Sequence, residues 1–281
     1  MSAAVEVRVE VIRTAEIRMP YVYAYRPDGN PLSRVAGLVR PGGEALRSPC
    51  LAYVLSHPQA GTILVDTGFH PDASEDPRKD FGLPMSLIFR GLRTPADAFD
   101  QQLRARGVDP AAVERVLMTH LHVDHTSGMR LLPNARFTIA EREWSAATAR
   151  GATGKGFVAH HLPGAAKVDL VDFRTGGKQH GPFSHTLDLL GDGSIRLVST
   201  PGHTPGHMSV LLRASGGRTV LLVGDAAYTL RNVREGILPL LTASDRAYRR
   251  SLHEIAAFAE SDPHATLVPS HDPDAWRELQ P

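Results

Sequence analysis

The sequence predicts an α+β protein made of two face-to-face β-sheets with helices outside, four layers in all. Three observations predict it. Short strand-like runs recur along the chain, some alternating apolar with charged residues and some continuously apolar. The runs gather in two similar blocks, one up to the histidine cluster at residues 120–125 and one from about residue 194. Segments of helical period lie between and after these blocks, and helices outside two packed sheets give each sheet a second covered face.

Residues 5–12, Val-Glu-Val-Arg-Val-Glu-Val-Ile, alternate strictly and read as a half-buried strand. Residues 20–43 are rich in Pro, Gly and Arg and read as loop. Residues 51–56 and 62–65 form a predicted hairpin, with His57-Pro58-Gln59-Ala60-Gly61 as its turn. Residues 72–94 begin charged and become apolar. Gly82, Pro84 and Gly91 argue against a long regular helix there, and the stretch from Phe81 to Leu92 is a candidate wall for an apolar substrate tail. Residues 95–107 read as a helix, with Phe99 and Leu103 on one face and Gly107 as the stop. Strands are expected at 113–118 and 136–140, and a helix at 141–150. Residues 151–182 are glycine-rich, and their His160, His161 and His180 read as surface or pocket-rim residues. Strands follow at 194–199, 208–213 and 219–224. The helix at 244–260 puts Leu252, Ile255, Ala256 and Ala259 on one side.

Composition bounds the function. A chain of 281 residues can bury a large core and is expected to form a single domain over 1–281. Lys+Arg number 31 against 30 Asp+Glu, a net charge of +1, which gives no electrostatic case for a nucleic-acid partner. The lone Cys50 excludes an internal disulfide and reads as a buried strand thiol. The N-terminus lacks the basic start and apolar core of a signal peptide, and no run approaches the ~18 apolar residues of a membrane span. A cytoplasmic protein that does not enter a membrane is expected.

The chemistry is concentrated in His120-Leu121-His122-Val123-Asp124-His125, at the end of the strand-like run 113–118. Imidazole and carboxylate suit a divalent cation of the zinc class, and so many in six residues point to metal. Further donors follow other apolar runs: His203 in Pro-Gly-His-Thr-Pro-Gly-His, Asp225 after Thr219–Gly224, and His271 in Val-Pro-Ser-His-Asp. Strand ends therefore present these donors toward one edge of the fold. No Gly-x-Ser-x-Gly is present, and Cys50 is far from the cluster, so nothing suggests a Ser or Cys nucleophile. His207 repeats the Pro-Gly-His pattern of His203 and reads as either a further donor or a structural neighbour of the site, and His70, His185, His253 and His264 read as ordinary residues.

Asp66-Thr67-Gly68, the His-x-His-x-Asp-His run, His203, Asp225 and His271 stand in an order that resembles the metallo-β-lactamase superfamily, and the match covers most of the chain. The resemblance implies an αββα fold and two Zn2+ ions, although Mn, Co and Fe accept the same donors. It implies that His120, His122 and His203 bind one metal, that Asp124, His125 and His271 bind the second, and that Asp225 bridges them. A carboxylate has two oxygens and can bridge where an imidazole cannot. Asp66 is expected to orient a metal-bound imidazole.

Asp225-Ala226-Ala227-Tyr228-Thr229 resembles the Asp-x-x-Tyr-Thr of quorum-quenching N-acyl homoserine lactonases. The family's Gly-His-Asp stands here as Ser270-His271-Asp272. The implied reaction is lactone hydrolysis by a hydroxide held between the metals. Tyr228 would hydrogen-bond the carbonyl oxygen, and Asp124 or Asp225 would pass a proton to the departing ring oxygen. The expected partner is a lactone with an apolar acyl tail, and a homodimer is compatible with the sequence. The 160–190 segment looks longer than in compact lactonases and is expected to reshape the pocket or add an interface. Alternatives on the same site are another lactone, an aryl ester, a phosphotriester or a glutathione thioester. The superfamily's β-lactamases usually lack an aspartate at position 225. Its flavodiiron enzymes generally carry Glu where this chain has His122.

Overall fold

In a computed structural model the structure describes residues 4–29, 44–88, 92–94 and 98–280, the side chains of residues 84, 87 and 88 excepted. Part of the expected 20–43 loop (30–43), the end of the candidate wall (89–91) and the start of the expected 95–107 helix (95–97) lie outside the described residues.

Among the described residues, twelve strands form two six-stranded sheets. The first sheet runs β1 (Arg8–Pro20), β2 (Ala45–His57), β3 (Gly61–Val65), β4 (Arg115–Leu117), β5 (Arg136–Ala140) and β6 (Val168–Val171) in spatial order. Its first two pairings are antiparallel and the others parallel. The second sheet holds β7 (Lys178–His180), β8 (Phe183–Asp188), β9 (Ile195–Ser199), β10 (Met208–Ala214), β11 (Arg218–Gly224) and β12 (Thr266–Pro269), again adjacent in chain order. All its pairings are antiparallel except β11 with β12.

Period-two alternation decides what each strand buries. Leu51, Tyr53 and Leu55 of β2 face Val210, Leu212, Val220 and Leu222 of the second sheet, forming the core between the sheets. The intervening Ala52 and Val54 point outward and are covered by Phe99 and Leu103 of the helix Phe99–Ala105. On the far side, Leu211, Leu221 and Val223 are covered by Tyr248, Leu252, Ile255 and Phe258 of the helix Asp245–Ser261. That helix is N-capped by Ser244, whose hydroxyl accepts from the Ala247 N–H. Each large apolar side chain buried this way contributes about 1.5–3 kcal/mol, so Leu252→Asp would detach the helix. Helices outside two packed sheets give the expected four layers.

Two strands exceed their sequence signal. β1 continues beyond residue 12 to Pro20 through a register shift between Arg13 and Ala15. β2 begins at Ala45, with Pro49 in mid-strand. Pro49 pairs with Glu16 of β1, while β3 pairs only with Tyr53–His57, so no neighbour on that side needs the missing N–H.

The 160–190 segment corrects an expectation. It supplies β6 and β7, an edge strand of each sheet, and all of β8, and none of its residues lines the cleft described below. It is the crossover between sheets rather than a pocket insertion. Residues 77–88 are also more regular than expected: a helix, Pro77–Ile88, broken at Gly82 (φ 80°).

Candidate metal centre

Strand polarity brings the donors together. β3 and β4 are parallel, as are β11 and β12, and β9 runs in the same sense as β11 because both are antiparallel to β10. Asp66 follows β3, His120 follows β4, His203 follows β9, Asp225 follows β11, and His271 follows β12. All are buried. The turns need particular backbones. Gly224, at φ 63°, turns the chain into Asp225, and a Cβ there would lie 2.6 Å from His207 Nε2. Asp66 sits at φ 57°, the sole non-glycine in the left-handed region among the described residues.

The donors fall into two groups. One ring nitrogen each from His120, His122 and His203 lie within 4.8 Å of one another, as do single atoms of Asp124, His125, Asp225 and His271. His122 Nδ1 is 2.8 Å from His203 Nε2. Asp225 stands between the groups. Its Oδ2 is 3.3 Å from His203 Nε2 and 3.4 Å from His271 Nε2, and its Oδ1 is 3.4 Å from His125 Nε2. Asp124 Oδ2 is 3.4 Å from His271 Nε2.

The 3.3–3.4 Å spacings around Asp225 and His271 fit metal. Two ligands ~2.0–2.1 Å from a tetrahedral ion stand about 3.3–3.4 Å apart. His120 Nε2, His125 Nε2 and Asp225 Oδ1 are buried without a hydrogen-bond partner, a condition that native proteins largely avoid. Burial and neighbouring imidazoles hold His120 and His203 well below the usual imidazole range, leaving the neutral rings that ligation requires. Burial alone would also depress His125 and His271. Around them the carboxylates win: Asp66, Asp124 and Asp225 hold His125 well above its usual value, and Asp225 and Asp124 raise His271 to about 10. Carboxylates that hold protons on neighbouring imidazoles this strongly also favour a cation in place of those protons.

A surrounding layer fixes the donors. Asp66 Oδ2 accepts from His125 Nδ1 and from the Thr119 hydroxyl, each at 2.7 Å, and Oδ1 accepts from Thr119 N at 2.8 Å. His271 Nδ1 donates to the Pro49 carbonyl at 3.0 Å. His207 uses both nitrogens away from the donor groups, one with Thr200 Oγ1 and the other with the Asp225 backbone, as a structural role requires. Glu143, in the helix Glu141–Ala147, accepts from Leu121 N (2.9 Å) and Gly206 N (3.0 Å). It ties the histidine loop to the His203 turn, and burial pushes it up to about 7.

A cleft of ≈ 490 Å³ reaches these donors. Its apolar lining includes Ile17 and Met19 of β1, Val123, Met85, Phe157 and Leu241. Of the expected 81–92 wall, Met85 is the described residue that lines it; Phe81 and Leu92 are core residues and Leu83 is 55% exposed. Tyr228 also lines the cleft, its ring centroid 5.6 Å from His203 and 5.3 Å from His271. Tyr23, absent from the sequence reading, stacks on Tyr228 at 5.9 Å with the planes 5° apart. Burial pushes Tyr23 up to about 12 and Tyr228 well above its usual value, so both remain phenols.

Two sheets sandwiched between helices, with paired His/Asp groups at one strand edge, define the class of metallohydrolase-like αββα proteins. The family model of the metallo-beta-lactamase superfamily matches residues 45–271, and the chain belongs to that superfamily. It is 34% identical over 235 residues, 83% of this chain and 85% of the relative, to the N-acyl homoserine lactonase AttM of Agrobacterium fabrum strain C58. It is 27% identical over 195 residues, 69% of this chain and 70% of the relative, to the N-acyl homoserine lactonase AiiA of Bacillus thuringiensis subsp. kurstaki. Among solved structures, an N-acyl homoserine lactone hydrolase with N-hexanoyl-L-homoserine at its catalytic metal centre superposes with a TM-score of 0.73. It covers 98% of this chain and 96% of that one, at 20% identity, and shares the fold.

Proposed function

We propose that the chain is a metal-dependent ester hydrolase that opens the ring of N-acyl homoserine lactones. The observation that carries this reading is the union of a paired His/Asp donor site with an apolar cleft and a buried phenol at the same point. The 34% identity to a lactonase over 83% of the chain supports the substrate class.

His120, His122 and His203 would hold one zinc ion, Asp124, His125 and His271 the other, and Asp225 would bridge them. Metal bound there would supply a hydroxide at neutral pH and polarise a carbonyl. The chain's own residues do the rest. The apolar walls take the acyl tail and orient the lactone. Tyr228, kept protonated by its burial, donates to the carbonyl oxygen as it gains charge. Asp124 and Asp225, both lining the cleft, are the carboxylates able to move a proton to the departing ring oxygen. Asp66, Glu143 and His207 hold the donors in place. The enzyme is taken as cytoplasmic, and among the described residues no helix is long and apolar enough to cross a membrane. Gel filtration decides whether it works as a homodimer.

The test is to incubate zinc-loaded protein with short- and long-chain acyl homoserine lactones and follow mass. The expected result is a gain of one water, abolished by chelation and by His122→Ala. Full turnover in a metal-replete His122→Ala variant would overturn the site. No turnover with both metals bound would move the substrate to another ester.

A further inference from the structure

Beyond the two donor groups, the described residues hold a third: Asp80, His160 and His161, with one ligand atom each within 4.8 Å of one another. None of them lines the cleft. Asp80 lies in the helix Pro77–Ile88, and His160 and His161 in the turn Ala159–His161.

The hydrogen-bond network fixes one proton of His161. The Thr126 hydroxyl donates to the His122 carbonyl at 3.1 Å, so it can only accept from His161 Nδ1, 3.2 Å away. Nδ1 therefore carries a proton, and Nε2 is left either a lone pair or a second proton. That Nε2 belongs to a side chain only 1% exposed and has no hydrogen-bond partner. It points at Asp80 Oδ2, 3.3 Å away. Asp80 is already oriented: Oδ2 accepts from Ser127 Oγ at 2.9 Å and Oδ1 from Arg130 at 3.2 Å. Each carboxylate oxygen has two lone pairs, so Oδ2 retains one for a second partner.

A lone pair facing a carboxylate oxygen at 3.3 Å in a buried place is repulsive unless a cation lies between. A second proton on His161 is one such cation, but it would use no third donor. His160, exposed and adjacent, supplies that donor and leaves an open side for water. The 3.3 Å spacing is again the edge of a tetrahedron with ~2.0–2.1 Å bonds, as in the main groups. We propose that Asp80, His160 and His161 form an additional, weaker site for a zinc-class divalent cation. An ion there fastens the first part of the segment Pro77–Ile88, which leads through the break at Gly82 to the cleft residue Met85, to the turn at 159–161 and, through Thr126, to the loop that carries His122. Its role is structural: it sets how firmly one wall of the cleft is held.

The test counts ions and does not depend on the lactonase reading. Protein carrying its tightly held zinc is desalted and titrated calorimetrically with Zn2+ at neutral pH. The expected result is one further, weaker binding event per chain. His160→Ala, at an exposed position that leaves the core intact, and Asp80→Asn should each weaken it at least roughly tenfold, the loss that even outer partners of a bound metal produce. Both should keep the tight stoichiometry. Added Zn2+ should also slow amide exchange across 77–88 in wild type and not in His160→Ala. Absence of the weaker event in wild type, or an event unchanged in both variants, overturns the proposal and leaves His161 a protonated partner of Asp80.

Discussion

The backbone N–H of Asp225 donates to His207 Nε2 at 2.9 Å. That bond is the last link of a buried chain. Ser209 Oγ donates to the Val223 carbonyl (2.7 Å), which leaves Thr200 Oγ1 to donate to Ser209 (2.9 Å) and to accept from His207 Nδ1 (2.9 Å). The proton of His207 is thereby fixed on Nδ1, and Nε2 is free to accept. A residue that contributes nothing to the donor groups sets the backbone of the one carboxylate standing between them.

His207→Ala removes the acceptor and leaves the Asp225 N–H buried and unpaired, at a cost of about 1–3 kcal/mol. A lower Tm and a lower metal content are expected together. Loss of metal content with an unchanged Tm would place the role of His207 elsewhere.

The same histidine predicts an acid sensitivity. Burial holds His207 down to about 3, against ~6.5 in an unfolded chain. Between those values the unfolded chain takes up a proton that the folded chain refuses. Stability therefore falls as pH drops from about 6.5 toward 3 and is independent of this group above 6.5. His207→Gln keeps an acceptor for Asp225 and a donor for Thr200 but cannot titrate. Melting curves of the metal-free proteins across this window should show a shallower pH slope for the variant, and parallel slopes would exclude His207 as the source.

Asp66→Asn tests the layer that holds the donors. The carboxylate accepts three hydrogen bonds, from His125 Nδ1, the Thr119 hydroxyl and Thr119 N. An amide turns one acceptor into a donor facing a donor, with no change in volume. Metal affinity measured by chelator competition should fall roughly 10–100-fold, with the fold kept by circular dichroism. Wild-type affinity would make Asp66 a turn residue only.

How far the sequence reached follows from where each signal sits. The donors were legible because metal chemistry demands rare residue types next to strand ends, and Gly224 and Asp66 mark those ends locally. Glu143 was not legible. In Glu-Arg-Glu-Trp it looks like any solvated helix face, and only the packing of two distant loops buries it. Its faint trace is Gly206, where a Cβ would lie 2.1 Å from Glu143 N. Tyr23 was hidden because β1 runs on past the alternating 5–12 pattern through a register shift. The strands at 168–171, 178–180 and 183–188 carry no clear sequence signal because they lie at or next to the edges of the two sheets. Their short, partly exposed sequences carry little apolar periodicity.

Tyr228→Phe separates binding from turnover. The ring stays packed against Tyr23, His203 and His271 and only the hydroxyl is lost. If that hydroxyl donates to the developing oxyanion, kcat should fall by ~10²–10³ with both metals retained. Unchanged kinetics would return Tyr228 to a packing role.

Leu241 offers the cleanest probe of the cleft. It is 53% exposed yet lines the apolar wall beside Thr242 and Ala243, so replacing it disturbs little of the core. Leu241→Ser should leave the unfolding free energy within about 0.5 kcal/mol of wild type, the usual range for surface substitutions. A long acyl chain that covers this residue loses apolar contact worth ~25 cal/mol per Å2, while a short chain that never reaches it loses nothing. The expected signature is a raised KM for long-chain lactones with kcat and short-chain KM unchanged, because the lost contact is made equally in ground and transition states. Equal effects on both chain lengths would show that the tail leaves the cleft by another side, with Met85→Ala as the next variant to measure.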